Sequence, residues 1–522
     1  MARRSTLHSP PSTMNPRHLL RSTLLVAFFF GLDKVIALGR QVIVGRVYGV
    51  GPALDAYNAA NNLPDLLVAV ISGGALAIAF IPVLSEYLDR EGREEAWLLF
   101  SQVANAAFLV TAVLAVLIAI FAAPIVSTQI VPKFPADRQA LVVSLMRVNL
   151  IATLIFSLSG LVIGALQANQ HFWLPALAPI LYNVGQIIGV LFLAPRFGIY
   201  GLAYGVILGA VLHLAVQVPG LIRYGFRYSP RLDWRHPGLR RVALLMGPRV
   251  LTLAALQYIF VSTDRLASGL PEGAITALAY GWLIMQVPET IVGTAVGTAL
   301  LPTLSELVAR KDDAGLRGAL SGAIRALLAF TLPAAIALIV LIRPLVQAVF
   351  EGRAFTSAGT SLVAFAAQMF LVGLVGHSLV EVAARTFYAR QDARTPLIAA
   401  WGTLGLFLVL CYALIPSLGH GGIALANSIA FTTEGLVLIL ILQWRHADLD
   451  LPVIGGSLWR IGAATLPMGL AIAAFAWFLR SASPLLLGAG GLLVAALVYL
   501  PLAFAILPEF RRLPQMLVTK IG

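Results

Sequence analysis

Four ionisable residues, Asp33, Lys34, Arg40 and Arg46, sit in one long apolar stretch near the start of the chain. Charge inside an apolar span is expensive, so each is a candidate functional group. Asp33 and Arg40 are seven residues apart, about two helical turns, and share one face of a helix. The cations suit an anionic solute, because arginine keeps its charge and donates hydrogen bonds in a forked geometry. The bland alternative is a self-neutralising Asp33–Lys34 pair, with Arg46 reaching to the outer interface. Arg147 and Arg249 are further cavity candidates, each close enough to a span end that snorkelling competes. Among the acids, Asp55 falls at the outer end between the first two spans, as a gating group or an N-cap. Asp264, beside Arg265, reads as a ligand for a coupling cation or as half of a loop salt bridge. Glu434 lies deeper, near Thr432 and Thr433, and is the better proton or cation site. Glu289 and Glu381 also fall within spans, the latter at i,i+4 spacing from Arg385. Asn183 and Gln257 are read as interhelical hydrogen-bonding residues.

The elements that must position these groups follow from composition. The 522 residues are 59% hydrophobic and only 11% charged, with a net charge of +13. Soluble chains carry about 25% charged residues, so a soluble enzyme is excluded, and so is a disordered chain. The basic surplus sits in short loops between apolar runs, which argues against nucleic-acid binding. One cysteine, Cys411, allows neither a disulfide framework nor a zinc cluster. There is no Walker A loop, zinc-protease motif or nucleophile elbow, so the chain is not expected to be an enzyme.

Apolar runs long enough to cross a bilayer fall at 21–48, 56–87, 96–124, 139–167, 172–194, 199–222, 240–266, 273–308, 316–343, 357–387, 396–416, 421–444, 458–480 and 484–507. The expectation is an all-α polytopic membrane protein of about fourteen spans. Arginines concentrate in the tail and after even-numbered spans, as at Arg90, Arg93, Arg223, Arg227, Arg231 and Arg235. The positive-inside rule then puts both termini in the cytoplasm. The polar tail, 1–18, is expected to be disordered.

The chain also repeats itself. Asn169-Gln170 followed by Pro175 recurs as Arg390-Gln391 followed by Pro396, and Gly198 and Gly201 recur as Gly419 and Gly422. Pro82, Ser85 and Glu86 recur as Pro302, Ser305 and Glu306, and Pro64 pairs with Pro288. An even number of spans separates the copies, so the repeats are parallel, a transporter architecture. This gives a lobe at 19–222, a basic linker at 223–239, a second lobe at 240–444, and two further spans with a cytoplasmic C-terminus at 445–522. The two six-helix lobes are expected to surround a central cavity.

The tract Phe387-Tyr388-Ala389-Arg390-Gln391-Asp392-Ala393-Arg394-Thr395-Pro396 joins spans ten and eleven. With Gly49-Val50-Gly51, Asp55-Ala56-Tyr57, Asn62-Leu63-Pro64, Met246-Gly247-Pro248 and Gly352-Arg353-Ala354-Phe355-Thr356, it resembles the MviN/MurJ lipid II flippases of the multidrug/oligosaccharidyl-lipid/polysaccharide exporter superfamily. The resemblance covers most of the chain through span twelve. It implies alternating access that moves undecaprenyl-pyrophosphate-linked peptidoglycan precursor to the outer leaflet, in a bacterial inner membrane. It also implies headgroup binding by a basic pair on span one, here Lys34 and Arg40, with Asp55 matching a family acid. Partners would be the polyprenyl-linked glycan lipid, membrane lipids and cell-wall synthesis machinery. No cofactor is expected, and coupling would come from the membrane potential or a monovalent cation. The chain departs from the family at Leu283 and Gln286, where an Arg and a Glu are expected, and around Val68-Ala69, where a basic residue is expected. Span eleven contains no Asp, Asn or Glu for a sodium site. Alternatives are export of another polyprenyl-linked glycan or small molecule, and a non-transporting cell-wall scaffold.

Overall fold

The computed structural model describes residues 16–73, 75–446, 449–508 and 510. The expected disordered tail up to residue 15 and most of the expected cytoplasmic C-terminus lie outside these. With no water available in a bilayer core, backbone N–H and C=O groups must pair within the segment, and long apolar runs therefore wind into helices. Among the described residues every regular element is helical, save one isolated bridge between Gly352 and Phe355.

Among the described residues, ten helices are long and apolar enough to cross a membrane. An eleventh span is bent by 45° between Ser357–Leu371 and Leu374–Ala389. The remaining three predicted spans are helical but charged or broken. Pro16–Tyr48 carries Asp33, Lys34 and Arg40. The second is interrupted at Asn61, and again by the π-turn Val68–Gly73. Pro237–Ala267 holds Arg240, Arg241, Arg249, Asp264 and Arg265. The count of fourteen therefore depends on the helices richest in candidate functional groups.

The duplication is written into the backbone. Gln170 and its repeat partner Gln391 both take φ 60°, the left-handed region that side-chain-bearing residues seldom enter. Gly198 and Gly419 share φ values of 55° and 54°. The paired prolines Pro64 and Pro288 are each followed by a π-turn, at Val68–Gly73 and Thr290–Thr294. The i,i+4 ion pairs Glu86–Arg90 (3.3 Å) and Glu306–Arg310 (2.5 Å) also recur.

The chain divides into two compact units. The first comprises the chain to Ile43, Leu67–Leu117 and Val148–Gly247. Here Gly185 and Gly189 face Gly205 and Gly209, and a Cβ added to Gly189 would lie 2.4 Å from the Gly205 Cα. Small residues let these helix backbones touch, which lipid alone would not drive. Elsewhere in this unit Trp97, Phe100 and Phe226 meet edge-on, with centroids 5.1–5.9 Å apart. The second unit comprises Val44–Leu66, Ile118–Arg147 and the chain from Pro248. An apolar cluster in it joins Asp313–Phe350 to the last two spans, Leu451–Phe478 and Pro484–Ile506, where the Tyr499 hydroxyl donates to the Ala329 carbonyl at 2.5 Å.

Two of the motif tracts meet in this unit and prove to be turn chemistry. Gly49 has φ +71°, and a Cβ there would sit 2.4 Å from the Ala354 carbonyl oxygen. The Ala354 amide donates to the Arg46 carbonyl at 3.0 Å. Thr356 then caps the next helix, accepting from the Gly359 amide at 3.3 Å.

Candidate functional site

In the first unit, Lys34 is exposed and Asp33 and Arg40 are half-buried on the Pro16–Tyr48 helix. Asp33 accepts a hydrogen bond from Asn183 Nδ2 at 2.9 Å, so a neutral amide on the 173–188 helix engages it. Arg40 Nη2 reaches Gln41 Oε1 at 3.3 Å, while its Nε is buried without a partner. A buried unpaired donor on a cation is costly.

The other candidates fall in the second unit. Arg46 Nη2 donates to the Val349 carbonyl at 2.9 Å and its Nε to Phe350 at 3.4 Å. A cation there complements the negative C-terminal end of the Asp313–Phe350 helix. Arg147 is exposed and donates from Nε to the Ala119 carbonyl at 2.9 Å, again at a helix C-terminal end. Arg249 lies on the Pro237–Ala267 helix, and its side chain is outside the described residues.

Asp55 is 2% exposed and caps a helix other than its own. Its Oδ2 accepts from the Gly273 amide at 2.6 Å. Its Oδ1 accepts from the Thr276 amide at 2.7 Å and the Thr276 hydroxyl at 2.6 Å. The carboxylate thus stoppers the N-terminus of Ala274–Glu289, where exposed amides and the helix dipole favour an anion. The adjacent loop is fastened by an Arg138–Glu272 ion pair.

One helical turn further in lies a polar cavity of about 310 Å³. Asn58, Asn62, Asp65, Gln257, Asp264 and Asn427 line it, beside Trp282. Asp264 accepts from Asn62 Nδ2 at 2.7 Å, whereas its neighbour Arg265 turns to Gln129 Oε1 at 3.0 Å. The two do not pair with each other. The role of Asn58, Asn62 and Asp65 in this cavity is not foreseen from sequence. The available signal is the density of amides in Asn58-Ala59-Ala60-Asn61-Asn62, unusual inside an apolar span.

Glu434 is buried and accepts from the Thr403 hydroxyl of span eleven at 2.9 Å. Span eleven therefore contributes a hydroxyl where it lacks acids and amides. Glu381 pairs with Arg385 at 2.9 Å, as its spacing predicts.

The long tract at 387–396 forms a tight connector. Asp392 accepts from the Arg394 and Thr395 amides at 3.0 Å each and from the Thr395 hydroxyl at 2.6 Å. Arg445 lies 3.8 Å away. Burial pushes the Asp392 carboxyl up, but these hydrogen bonds and Arg445 outweigh it and hold the carboxyl below its usual range. Asp392→Ala is expected to lower stability by about 1 kcal/mol, as for a lost helix cap. Because the folded value is depressed, that contribution is present above the unfolded value of about 3.9 and is lost as pH falls through the folded one. Melting parent and variant side by side should show a gap that is constant near neutrality and closes only below about pH 4.

A family profile described as lipid II flippase MurJ matches residues 44–496. The chain belongs to the MurJ family. A lipid II flippase MurJ from Burkholderia cenocepacia is 32% identical, covering 82% of this chain and 84% of the relative. A probable lipid II flippase MurJ from Rhizobium meliloti is 30% identical, covering 91% of each. A solved lipid II flippase MurJ in an inward closed conformation superposes with a TM-score of 0.78 at 24% identity, covering 92% of this chain and 98% of that one. An inward-facing multidrug resistance MATE transporter gives 0.68 at 17% identity, covering 80% and 94%. At these identities the structural likenesses speak to the fold, that of a helical membrane transporter. Membership of the MurJ family and the ten apolar helices make this a multi-pass inner-membrane protein.

Proposed function

We infer that the chain carries lipid II from the inner to the outer leaflet by alternating access, with both termini cytoplasmic. The family match over residues 44–496 is the observation that carries this reading. Lys34 and Arg40 contact the diphosphate, and Arg40 does so through the guanidinium edge whose Nε is unpartnered. Diphosphate oxygens would supply the acceptors that this edge lacks. Arg46 and Arg147 are held by helix-end carbonyls and serve secondarily. Coupling comes from the membrane potential or a monovalent cation, since an acid inside a span needs neutralising charge. Cell-wall synthesis enzymes that consume the flipped lipid are the partners.

A second reading, export of a different polyprenyl-linked glycan, is favoured by one feature. Leu283 and Gln286 stand where the resemblance expects an Arg and a Glu. Rescue separates the two. In bacteria depleted of their own lipid II flippase, this chain should restore growth without lysis, and a well-expressed chain that fails to do so would favour the second reading.

A further inference from the structure

The basic linker of the first unit, residues 224–236, runs as a non-helical strap along one face of Arg93–Ile120. Side chains of that helix hold the strap by its backbone. Arg93 Nη1 and Trp97 Nε1 donate to the Tyr224 carbonyl at 3.3 and 3.2 Å. Ser101 Oγ and Gln102 Oε1 accept from the Ser229 and Asp233 amides at 3.1 and 2.6 Å. Asn105 Nδ2 donates to the Ser229 and Arg231 carbonyls at 2.9 Å each, and its Oδ1 accepts from the Tyr228 hydroxyl at 2.8 Å. Between Arg93 and Asn105 a helix rises about 18 Å, so the strap is pinned along three turns.

That pinning fixes a row of cations. Arg227, Arg231, Arg235 and Arg240 recur every four or five residues and are exposed. Among the described residues none of these guanidinium groups pairs with an acid. The one acid of the linker, Asp233, accepts from the Arg235 amide at 2.8 Å. Tyr228 and Trp234 are 61% and 55% exposed on the same strap, and such amphipathic rings settle at headgroup level.

Beside Trp234 lies a second cavity, of about 200 Å³, apart from the amide-lined one. Val103, Ala106 and Val110 of the third span wall it with Ala243, and Arg240 is the one charged residue among its described lining. Hydrocarbon walls leave water without hydrogen-bond partners, so apolar matter is the natural occupant. A bare hydrocarbon makes no use of Arg240, and a bare anion makes no use of the walls. A molecule with an acyl chain and an anionic head uses both, and a phosphate fits the guanidinium fork.

We propose that this slot binds one anionic phospholipid, its acyl chain against Val103, Ala106 and Ala243, its phosphate on Arg240, and Arg235 adding charge from the strap. Only its place in the cytoplasmic leaflet rests on the orientation given under Proposed function. Binding is measured without lipid II, so a failure here leaves the transport reading standing.

The test uses purified full-length protein in lipid-free detergent at constant salt. Native mass spectrometry counts bound phosphatidylglycerol, and phosphatidylcholine of identical chains, as each is titrated. The parent should retain one phosphatidylglycerol saturably and prefer it over phosphatidylcholine by about fivefold or more. Arg240→Gln and Arg235→Gln should each weaken phosphatidylglycerol by about fivefold and leave phosphatidylcholine unchanged. Ala243→Phe, which fills the slot from an exposed position, should weaken both lipids. Arg310→Gln, remote in sequence and absent from the slot lining, should bind as the parent does. Lipid-free melting midpoints equal to the parent's show that each variant is folded. The proposal is overturned if the parent binds no phosphatidylglycerol saturably, or binds both lipids alike. It is equally overturned if Ala243→Phe binds as the parent does, or if Arg310→Gln weakens binding as much as Arg240→Gln, the mark of a diffuse basic surface.

Discussion

Asp55→Ala should be the most destabilising single change at the N-terminal end of Ala274–Glu289. It removes one carboxylate that accepts from two backbone amides and a hydroxyl, all buried. A buried donor left without its acceptor costs about 1–3 kcal/mol, and the replacement leaves three. The sum is offset in part by not burying a charge, so a loss of about 3–5 kcal/mol is expected, the range for breaking a buried ionic contact. Asp55→Asn keeps one acceptor oxygen and loses the attraction between anion and helix N-terminus, and should fall between the two. Thr276→Val removes only the hydroxyl contact and should cost about 1 kcal/mol. Because Asp55 and Thr276 touch, their effects should not add, and a double-mutant cycle reads the coupling. Thermal melting in detergent checks the order parent, Thr276→Val, Asp55→Asn, Asp55→Ala. An Asp55→Ala protein melting within a degree of the parent would contradict the capping account.

Arg40→Ala carries the largest expected effect on substrate. The side chain is half-buried and its Nε is buried and unpartnered, so removing it relieves an unsatisfied donor. Stability should therefore hold or rise slightly. Charge-assisted hydrogen bonds to a diphosphate contribute about 1.5–3 kcal/mol, so lipid II affinity should fall by roughly tenfold to a hundredfold. Arg40→Lys retains the charge without the planar fork and should recover part of this. Lipid II titrated into purified parent and variants gives the comparison. Weakened binding with an unchanged melting midpoint would separate recognition from folding, and equal affinity in Arg40→Ala would remove the residue from the headgroup site.

How much of this was legible in the sequence depends on which force set each feature. Helices and their order follow from apolar run length, so the ten apolar spans match the predicted segments closely. The repeats were visible as spaced Gly, Pro and Gln residues because those positions need special backbone conformations, as Gln170 and Gln391 demonstrate. Partnerships were much less legible. Asp264 and Arg265 are neighbours that engage Asn62 and Gln129, residues far apart in sequence. The sequence offers Asp55 as a gating group or an N-cap, and it caps a helix more than two hundred residues away. Glu434 finds Thr403 in a span read as lacking ion ligands. Spacing along one helix predicts only contacts on that helix, as it did for Glu381 and Arg385. Contacts between helices depend on rotation and crossing, which no local pattern encodes. The amide-lined cavity is not legible for the same reason, since its lining residues come from several helices.

The most direct test of the account is the appearance of labelled lipid II on the outer leaflet of cells depleted of their own flippase. Cells expressing this chain should expose lipid II to an outside-acting reagent at the parental rate, and cells expressing Arg40→Ala at a rate lower by about tenfold or more. Lipid II that stays on the inner leaflet despite abundant, folded protein in the membrane would contradict the account.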